Sequence, residues 1–374
     1  MRKTLSLVLY FYLSFSGSYR LHAQSNDAIR KQAMQEFYLK HYALAISEFD
    51  SAIELNPRDS ISYHFRGNSK YMSGDYKGAI LDYTNAIELN PYDARAYNNR
   101  GMAKNFLEDY KGGIKDCRKG LKLDKHVPLA YYFLAYAQNK KGKNFLAFLN
   151  AGRGTKVIPC DTSYWGQGKI DLMQKYYYGA IKSFEKAIKF NPAYKAAYIG
   201  LGDAYYESKD YLNAILSYPK VIELDKENSY AYQQIALSKY YLQEYKGAIL
   251  DWDTCILLSK NNRLAYAWRG WTKCALKDYA GSVKDYSEAI KIDPKSSDDY
   301  CHRGYVKALA GYYESALPDF DKAIELNPNY AWAYNERGLS KLKTGDKDGA
   351  CKDFNKAIEL GWNARANATA NRCP

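Results

Sequence analysis

The sequence predicts an all-α protein in which ten short helical hairpins follow one another along the chain. A 34-residue period begins at residues 26, 60, 94, 128, 161, 195, 229, 263, 297 and 331, with a one-residue contraction before 161. Within this period, column 8 is always Gly or Ala, and column 20 is always Gly, Ala or Ser. Two small residues at this spacing, each inside a helical pattern, let two helices cross at close range.

Large residues flank these small positions. Column 4 is Tyr in nine repeats, and column 24 is aromatic in eight. Column 17 is Tyr in eight repeats and often follows Asp, as at Asp75-Tyr76. Column 32 is Pro in six repeats, and Pro ends a helix because it has no amide donor. The pattern therefore predicts two helices per repeat, with bulky side chains beside the close contact.

These residues resemble a known family. The period, with Ala-Ile-Glu-Leu-Asn-Pro at 52 and 323 and Gly-Asp-Tyr at 74, resembles the tetratricopeptide repeat. The resemblance implies a right-handed superhelical solenoid of about ten helix-turn-helix hairpins, in which the first helix of each pair lines a concave groove. It implies interaction with another protein but does not identify the partner.

The N-terminus is typical of a secretory signal. Arg2 and Lys3 precede an apolar stretch from Leu5 to Phe15, the small residues 16–18 follow, and Ala23 stands before Gln24. This stretch is too short to span a bilayer, so a retained anchor is the weaker alternative. We expect a signal peptide over residues 1–23, a solenoid over 24–364 and a C-terminal cap or tail over 365–374. The mature chain would then be periplasmic, associated with the cell envelope or secreted.

Charge does not favour nucleic acid as a partner. The formal net charge is +13, but it is dispersed along the predicted helices and forms no run of five or six basic residues. We therefore expect a protein or peptide partner, no nucleic acid and no stable membrane span.

Three charged columns occur together. Column 23 is Asp in six repeats, and column 11 is Lys in the same six, while column 7 is Arg in five of them. We predict that Lys and Asp meet across each hairpin, with Arg usually joining, as exposed pairs worth roughly 0–1 kcal/mol each. A ladder of basic residues for an acidic ligand is the alternative. The residues are Arg66, Arg100, Arg269, Arg303 and Arg337; Lys70, Lys104, Lys239, Lys273, Lys307 and Lys341; and Asp82, Asp116, Asp251, Asp285, Asp319 and Asp353.

The family resemblance implies that columns 2, 5, 9, 12 and 13 of the first helices contact a ligand. Here these columns are rich in aromatic and amide side chains, which suit an extended peptide because rings supply contact area and amides bond a backbone. Packing of these rings on neighbouring helices is the alternative. The candidates are His64, Asn68, Arg95, Asn98, Tyr132, Tyr136, Trp165, Tyr206, Tyr230, Gln233, Tyr240, Tyr241, Trp271, Tyr305, Trp332 and Asn335.

Other features of the sequence concern a disulfide, metal or catalytic sites, and one helix interruption. Cys351 and Cys373 are candidates for a disulfide, because the tail has to fold back over the last repeat. No cysteine or histidine spacing suits zinc, and no nucleophile has a recognisable partner, so we expect no metal, no cofactor and no catalysis. Pro219 should interrupt the second helix of repeat six.

Three functions fit these observations. The first is an extracytoplasmic scaffold or adaptor that binds a peptide or protein in its groove. A periplasmic holder of unfolded exported chains is the second, and a self-associating structural component of the cell envelope is the third.

Overall fold

The computed structural model describes residues 26–362, in which ten helical hairpins follow in order and no strand occurs. The prediction of an all-α chain of hairpins is confirmed. The predicted signal peptide and the predicted tail lie outside the described residues.

The first helix of each repeat begins where the sequence period begins. These helices are 26–38 (α1), Ser60–Met72 (α3), Ala94–Phe106 (α5), Pro128–Lys140 (α7), Asp161–Met173 (α9), Lys195–Glu207 (α11), Ser229–Tyr241 (α14), Arg263–Ala275 (α16), Ser297–Leu309 (α18) and Ala331–Lys343 (α20).

The second helices of seven repeats carry the aromatic residue of column 24, and in repeat six this residue, Tyr218, lies between two helical segments. The second helices are Tyr42–Leu55 (α2), Tyr76–Leu89 (α4), Tyr110–Leu123 (α6), Asn144–Val157 (α8), Tyr177–Phe190 (α10), Tyr211–Ser217 (α12) with Pro219–Leu224 (α13), Tyr245–Leu258 (α15), Tyr279–Ile292 (α17), Tyr313–Leu326 (α19) and Lys347–Glu359 (α21). The predicted interruption at Pro219 is confirmed, because this residue has no N–H to donate to the carbonyl of Ile215.

Packing between helices is local in sequence. Most helices pack against the helix directly before and the helix directly after them, and several first helices also touch the next first helix, as α7 touches α9. The chain divides within α11 into two compact units, one up to Gly200 and one from Leu201. Within each unit the core is therefore a row of small clusters between successive helices, as expected of stacked repeats.

The small columns make the close helix contact that the sequence predicts. A Cβ on Gly202 would lie 2.5 Å from the ring of Tyr218, and one on Gly304 would lie 2.9 Å from the ring of Phe320. Ser282, at column 20, donates a hydrogen bond to the carbonyl of Gly270 at 2.7 Å. Column 8 thus packs against both column 20 and the aromatic ring of column 24, and a larger residue would force the helices apart.

The turn between the two helices has one fixed conformation. The residue at column 15 has a positive φ in all ten repeats, although it is Gly in only four of them. The other six are Lys40, Glu108, Lys175, Lys209, Gln243 and Lys277, with φ between 59° and 66°. The hairpin geometry imposes this left-handed conformation even where a side chain makes it costly.

The charged columns meet at a buried place in the hairpin. In the six repeats that carry it, the Asp of column 23 lies 2.7–2.9 Å from the Lys of its own repeat. In five of them an Arg nitrogen also lies 2.5–2.8 Å away. The prediction that the three columns meet is confirmed.

The expected exposure of these pairs is wrong. Where Arg is present, the Asp side chain is at most 5% exposed. Removing one partner of a buried pair costs about 3–5 kcal/mol, against 0–1 kcal/mol for an exposed pair. The alternative of a basic ladder for an acidic ligand is wrong as well, because each of these Arg side chains is engaged by a carboxylate.

The same Arg also joins its repeat to the preceding one, so the network is not confined to one hairpin. The guanidinium reaches column 25 of the previous repeat, where it meets a carboxylate or a hydroxyl at 2.6–3.1 Å, and it lies over the Tyr of column 4 at 5.3–5.6 Å from the ring centroid. The column 25 partners are Asp50, Thr84, Asp253, Ser287 and Asp321.

Candidate binding surfaces

The predicted groove residues divide by accessibility. Arg95, Tyr230 and Tyr241 are exposed. His64, Asn98 and Asn335 are each less than a tenth exposed, so they lie inside the repeats and are not part of an accessible surface. This corrects the expectation that all of these columns face a ligand. The remaining candidates are half-buried: Asn68, Tyr132, Tyr136, Trp165, Tyr206, Gln233, Tyr240, Trp271, Tyr305 and Trp332.

Polar residues of repeats two and three are occupied by the protein itself. The Nδ1 atom of His64 lies 2.9 Å from the carboxylate of Asp93. Burial opposes ionisation of Asp93, but the hydrogen bonds from His64 and from the backbone N–H groups of Ala96 and Arg95 together outweigh it and lower the pKa of that carboxyl. The Oδ1 atom of Asn68 accepts from the Tyr83 hydroxyl and from the Asn99 amide, both at 2.9 Å. These side chains hold the hairpins together, and Arg95 alone remains open on this stretch of predicted groove positions.

An aromatic cluster occupies the first helices of repeats four and five. The ring of Tyr132 lies 5.0 Å from Trp165 and 6.2 Å from Tyr136, measured between ring centroids. A cavity of about 110 Å³ opens beside it, lined by Asn105, Phe106, Tyr132, Phe133 and Tyr136. The Asn105 amide donates to the carbonyl of Phe133 at 3.0 Å, which fixes one wall of this cavity.

A second cluster, of tyrosines, lies on the unit that begins at Leu201. Tyr241 stacks on Tyr211 with the planes 11° apart and the centroids 4.9 Å apart. Tyr206 meets the edges of both rings. Tyr240 continues the row and packs against Trp268 at 5.7 Å. The rings support each other between the first helices α11, α14 and α16 and the second helix α12, so packing and exposure coexist at the same residues.

Asp203 lies beside this cluster and organises two hydroxyls. Its Oδ1 atom accepts from the hydroxyl of Tyr218 and from that of Tyr230, both at 2.9 Å. Burial and the Asp203 carboxylate together raise the pKa of Tyr230 well above its usual range. The phenol is therefore neutral at physiological pH and remains a hydrogen-bond donor.

A third cluster lies on the first helices of repeats eight to ten. The imidazole of His302 lies between Trp271 and Trp332, with centroid distances of 5.3 and 5.0 Å. Tyr305 lies 6.1 Å from Trp271 and 5.4 Å from Trp332, on the same surface. Three of the predicted groove residues therefore come together around a histidine that the prediction did not include.

The sequence reasoning missed residues at column 6. His302 and Trp268 both occupy this column, which lay outside the columns that the family resemblance implied. An aromatic residue at column 6 three positions before one at column 9, as in Trp268 with Trp271 and His302 with Tyr305, is the signal that could have identified them, because these positions lie on one side of a helix. Tyr211, at column 17, was recognised only as a turn residue.

The cysteines are mostly buried fillers. Cys117, Cys255 and Cys301 are buried and free, and burial raises the pKa of Cys255 to about 11, which suppresses its reactivity. Cys351 is disulfide-bonded. Its predicted partner, Cys373, lies outside the described residues, so that pairing stays a prediction.

Within residues 26–362, no group of three or more His, Cys, Asp or Glu side chains is arranged to hold a metal ion. None of the helices in that range combines the length and the apolar character needed to cross a bilayer.

Comparison with known families identifies the repeats directly. A TPR repeat model matches residues 67–105 and 304–345. A second model, of the tetratricopeptide repeat, matches residues 163–228, and a third, also of the tetratricopeptide repeat, matches residues 94–126 and 333–360. No curated protein matches the sequence.

Solved structures that are similar to this chain come from several organisms. The C-terminal part of a TPR repeat-containing protein from Cytophaga hutchinsonii is 18% identical, covers 63% of this chain and 97% of its own, and has a TM-score of 0.52. A tetratricopeptide repeat protein from Parabacteroides merdae is 16% identical, covers 67% and 99%, and has a TM-score of 0.51. Yeast Tom70 is 16% identical, covers 93% and 94%, and has a TM-score of 0.44. At these identities the likeness concerns the fold alone.

Proposed function

We propose that this chain is a scaffold that holds a peptide or protein partner against its first helices, since tetratricopeptide repeat models match residues 67–126, 163–228 and 304–360. The observation that carries the proposal is the concentration of half-buried aromatic rings on those helices, in the three clusters around Tyr132, Tyr241 and Trp271. Half-buried rings are held in place before a partner arrives, so little side-chain entropy is lost on binding.

The chemistry of the clusters suits an extended polypeptide. Tyr and Trp dominate binding energy at protein interfaces because they combine large apolar area with a polar group. Burial raises the pKa of Tyr132 to about 12, so its hydroxyl stays protonated and can bond a partner's backbone carbonyl. Aromatic area and neutral hydroxyl donors together favour a peptide over a nucleic acid or a small charged metabolite.

Peptide selection tests this function. A random peptide library would be selected on the chain from Gln24 onward, and the dissociation constants of the selected peptides measured by fluorescence anisotropy. Tyr241→Ala and Trp271→Ala should weaken binding by about tenfold or more, because each removes an aromatic anchor.

Matched controls lie on the second helices. Phe145→Ala and Leu257→Ala remove exposed apolar side chains of α8 and α15, each 73% accessible, and should leave the affinity unchanged. Loss of binding in these variants, with full binding in the first-helix variants, would place the partner on the other face. Equal binding of many denatured proteins, without a shared motif, would favour the holder of unfolded chains instead.

We also propose that the chain acts outside the cytoplasm, in a bacterial cell envelope. The support is the order of Arg2 and Lys3, the apolar stretch and Ala23 at the N-terminus. Expression in a bacterial host should yield a periplasmic protein whose mass corresponds to a chain that starts at Gln24. Leu7→Arg should keep the uncleaved chain inside. A wild-type chain that stays in the cytoplasm with Met1 intact would refute the proposal.

A further inference from the structure

A cavity opens between the first helices of repeats eight and nine. Its volume is about 240 Å³, which is smaller than the roughly 300–1,000 Å³ typical of pockets for drug-sized ligands. It therefore suits one long side chain. Its walls are aromatic and aliphatic, and its rim is acidic: Arg263, Leu264, Ala267, Trp268, Trp271, Tyr286, Asp298, Asp299 and His302 line it.

Three aromatic rings of the lining contact one another. Trp271 stands at 90° to His302 with centroids 5.3 Å apart, and Tyr286 stacks on His302 with centroids 5.5 Å apart. Ring faces carry partial negative charge and attract cations, and Trp does so most strongly. Leu264 and Ala267 add an aliphatic wall that could cover the methylene stem of a long basic side chain.

The charges around the cavity do not cancel. Arg263 donates to Asp299 at 2.7 Å and to the Ser296 hydroxyl at 3.1 Å, and Asp299 is almost fully buried, so these two charges neutralise each other. Asp298 is exposed at the rim, and no Lys or Arg nitrogen of residues 26–362 lies within 4.0 Å of it. Two carboxylates against one guanidinium leave one net negative charge in a chain whose formal charge is +13.

A further carboxylate lies on the neighbouring repeat. Glu336 accepts from the Trp332 indole at 3.1 Å and from the Asn335 amide at 2.9 Å. Within the described chain it also has no Lys or Arg nitrogen within 4.0 Å. Trp332 in turn lies 5.0 Å from His302, so the aromatic surface leads from the cavity to this second acid.

We propose that this cavity receives a lysine or arginine side chain of the partner polypeptide, with Trp271 and His302 as its aromatic walls and Asp298 as its counter-charge. The inference rests on the proposed function, since it assumes that a partner lies on the first helices, and it names the chemistry that the partner must carry. An acidic side chain would meet Asp298 and be repelled, so this site selects basic segments.

Single capped amino acids test the site without knowledge of the partner. The chain labelled with ¹⁵N at tryptophan would be titrated with acetyl-arginine amide, acetyl-lysine amide and the neutral analogues acetyl-citrulline amide and acetyl-norleucine amide. The indole N–H signal of Trp271 should shift saturably with the two basic probes, with dissociation constants about tenfold lower than those of the neutral probes. Equal shifts with basic and neutral probes would overturn the proposal.

Two variants and a matched control complete the test. Asp298→Asn should raise the dissociation constant of acetyl-arginine amide to that of acetyl-citrulline amide, and it changes an exposed residue of the first turn of α18. Trp271→Leu should weaken both basic probes. Asp348→Asn makes the same charge change at an exposed position of α21 and should have no effect. An unchanged affinity in Asp298→Asn would refute the assigned counter-charge.

Failure of this inference is distinguishable from failure of the proposed function. If library peptides lose affinity in Tyr241→Ala but show no preference for Lys or Arg that depends on Asp298, the scaffold function stands and only the basic-side-chain site is wrong. If no selected peptide responds to any first-helix variant, the proposed function itself fails.

Discussion

Two groups of repeats solve the same packing problem with different chemistry. In repeats two, three, eight, nine and ten, the buried Asp of column 23 is held by Arg and Lys, as Asp285 is by Arg269 and Lys273. In repeats four and five, the same place is filled without any cation from those columns. We infer that the hairpin requires a polar group with a hydrogen-bond partner at this point, and that an ion pair is one of several ways to supply it.

Repeat four uses a neutral pair. The Asn150 amide donates to the Gln138 oxygen at 2.8 Å, and both side chains are buried. Repeat five reverses the polarity, since its carboxylate, Asp171, lies at column 11, where six of the other repeats carry Lys. Asp171 accepts from Gln167 at 2.7 Å and from Ser183 at 3.4 Å. With no cation beside it, burial raises the pKa of Asp171 to about 6.

Repeat seven lies between the two groups. Ile235 replaces the Arg, so Asp251 has only Lys239 as a partner, at 2.7 Å. Burial then outweighs this single contact and raises the pKa of Asp251 above its ordinary value. The repeats therefore form a series in the number of cations beside the buried acid: two in the complete triads, one in repeat seven and none in repeat five.

The largest expected effect comes from breaking a complete triad. Asp285→Asn leaves Arg269 and Lys273 without their shared, 2% exposed carboxylate, and it should lower the free energy of unfolding of repeat eight by about 3 kcal/mol. Hydrogen exchange read helix by helix would measure it. Asp253→Asn is the matched control, because Asp253 pairs with the same Arg269 but is 48% exposed; it should cost about 0–1 kcal/mol. Equal losses would contradict the role of burial.

The next effect has the opposite sign. The folded protein holds the proton of Asp171 more tightly than the unfolded chain, so the cost of burying the charge is present above pH 6 and disappears as the pH falls through 6 toward 3.8. Asp171→Asn should therefore stabilise repeat five by about 3 kcal/mol at pH 7.5 and by almost nothing at pH 3.5. Chemical unfolding at the two pH values measures this. A variant less stable than wild type at pH 7.5 would be inconsistent with a cation-free acid.

A smaller effect should follow from converting repeat four to the ionic type. Gln138→Lys and Asn150→Asp would each leave a buried charge without its designed partner, whereas the double variant would restore a Lys–Asp pair. A double-mutant cycle should give a favourable coupling of about 1–2 kcal/mol. Arg153, which already donates to Asn150 at 3.2 Å, should soften the loss in Asn150→Asp. A coupling free energy near zero would show that these two positions of repeat four do not accommodate an ion pair.

The smallest effect concerns the turn, which the two groups share. Lys277→Gly should stabilise repeat eight by about 1 kcal/mol, because Gly adopts the positive φ of 63° without strain. Gly311→Ala, at the same column of repeat nine, should destabilise by a similar amount, although a Cβ there would meet no atom within 4 Å. Thermal unfolding of the two variants measures these effects. Changes of the midpoint temperature that have the same sign in both variants would rule out backbone strain as the cause.

Much of the fold was readable from the columns, and the reasons are physical. Gly or Ala at column 8 has one explanation, a close helix crossing, and the shared occurrence of Arg, Lys and Asp has one explanation, a contact. The burial of the Asp side chains could not be predicted, because the residue type of Asp82 is the same whether its side chain is exposed or buried. The left-handed turn was not readable at Lys277 either, since nothing about Lys favours that conformation.

The candidate surfaces were predicted only in part. Family columns identified Tyr241, Trp271 and Trp332, which lie in clusters, but also Asn98 and Asn335, which are buried. His302 was not predicted because column 6 lies outside the columns that the family resemblance implied. In the packed helices its side chain nevertheless contacts Trp271 and Trp332. Which rings are supported by a neighbour and which remain open depends on contacts between successive repeats, and a linear pattern does not contain them.

The most direct test of the scaffold account is hydroxyl-radical footprinting of the chain with and without a selected peptide. We expect the peptide to protect Tyr230, Tyr241 and Trp271 on the first helices and to leave Phe145, Leu216 and Leu257 on the second helices as reactive as in the free chain. Protection confined to the second helices would contradict the account.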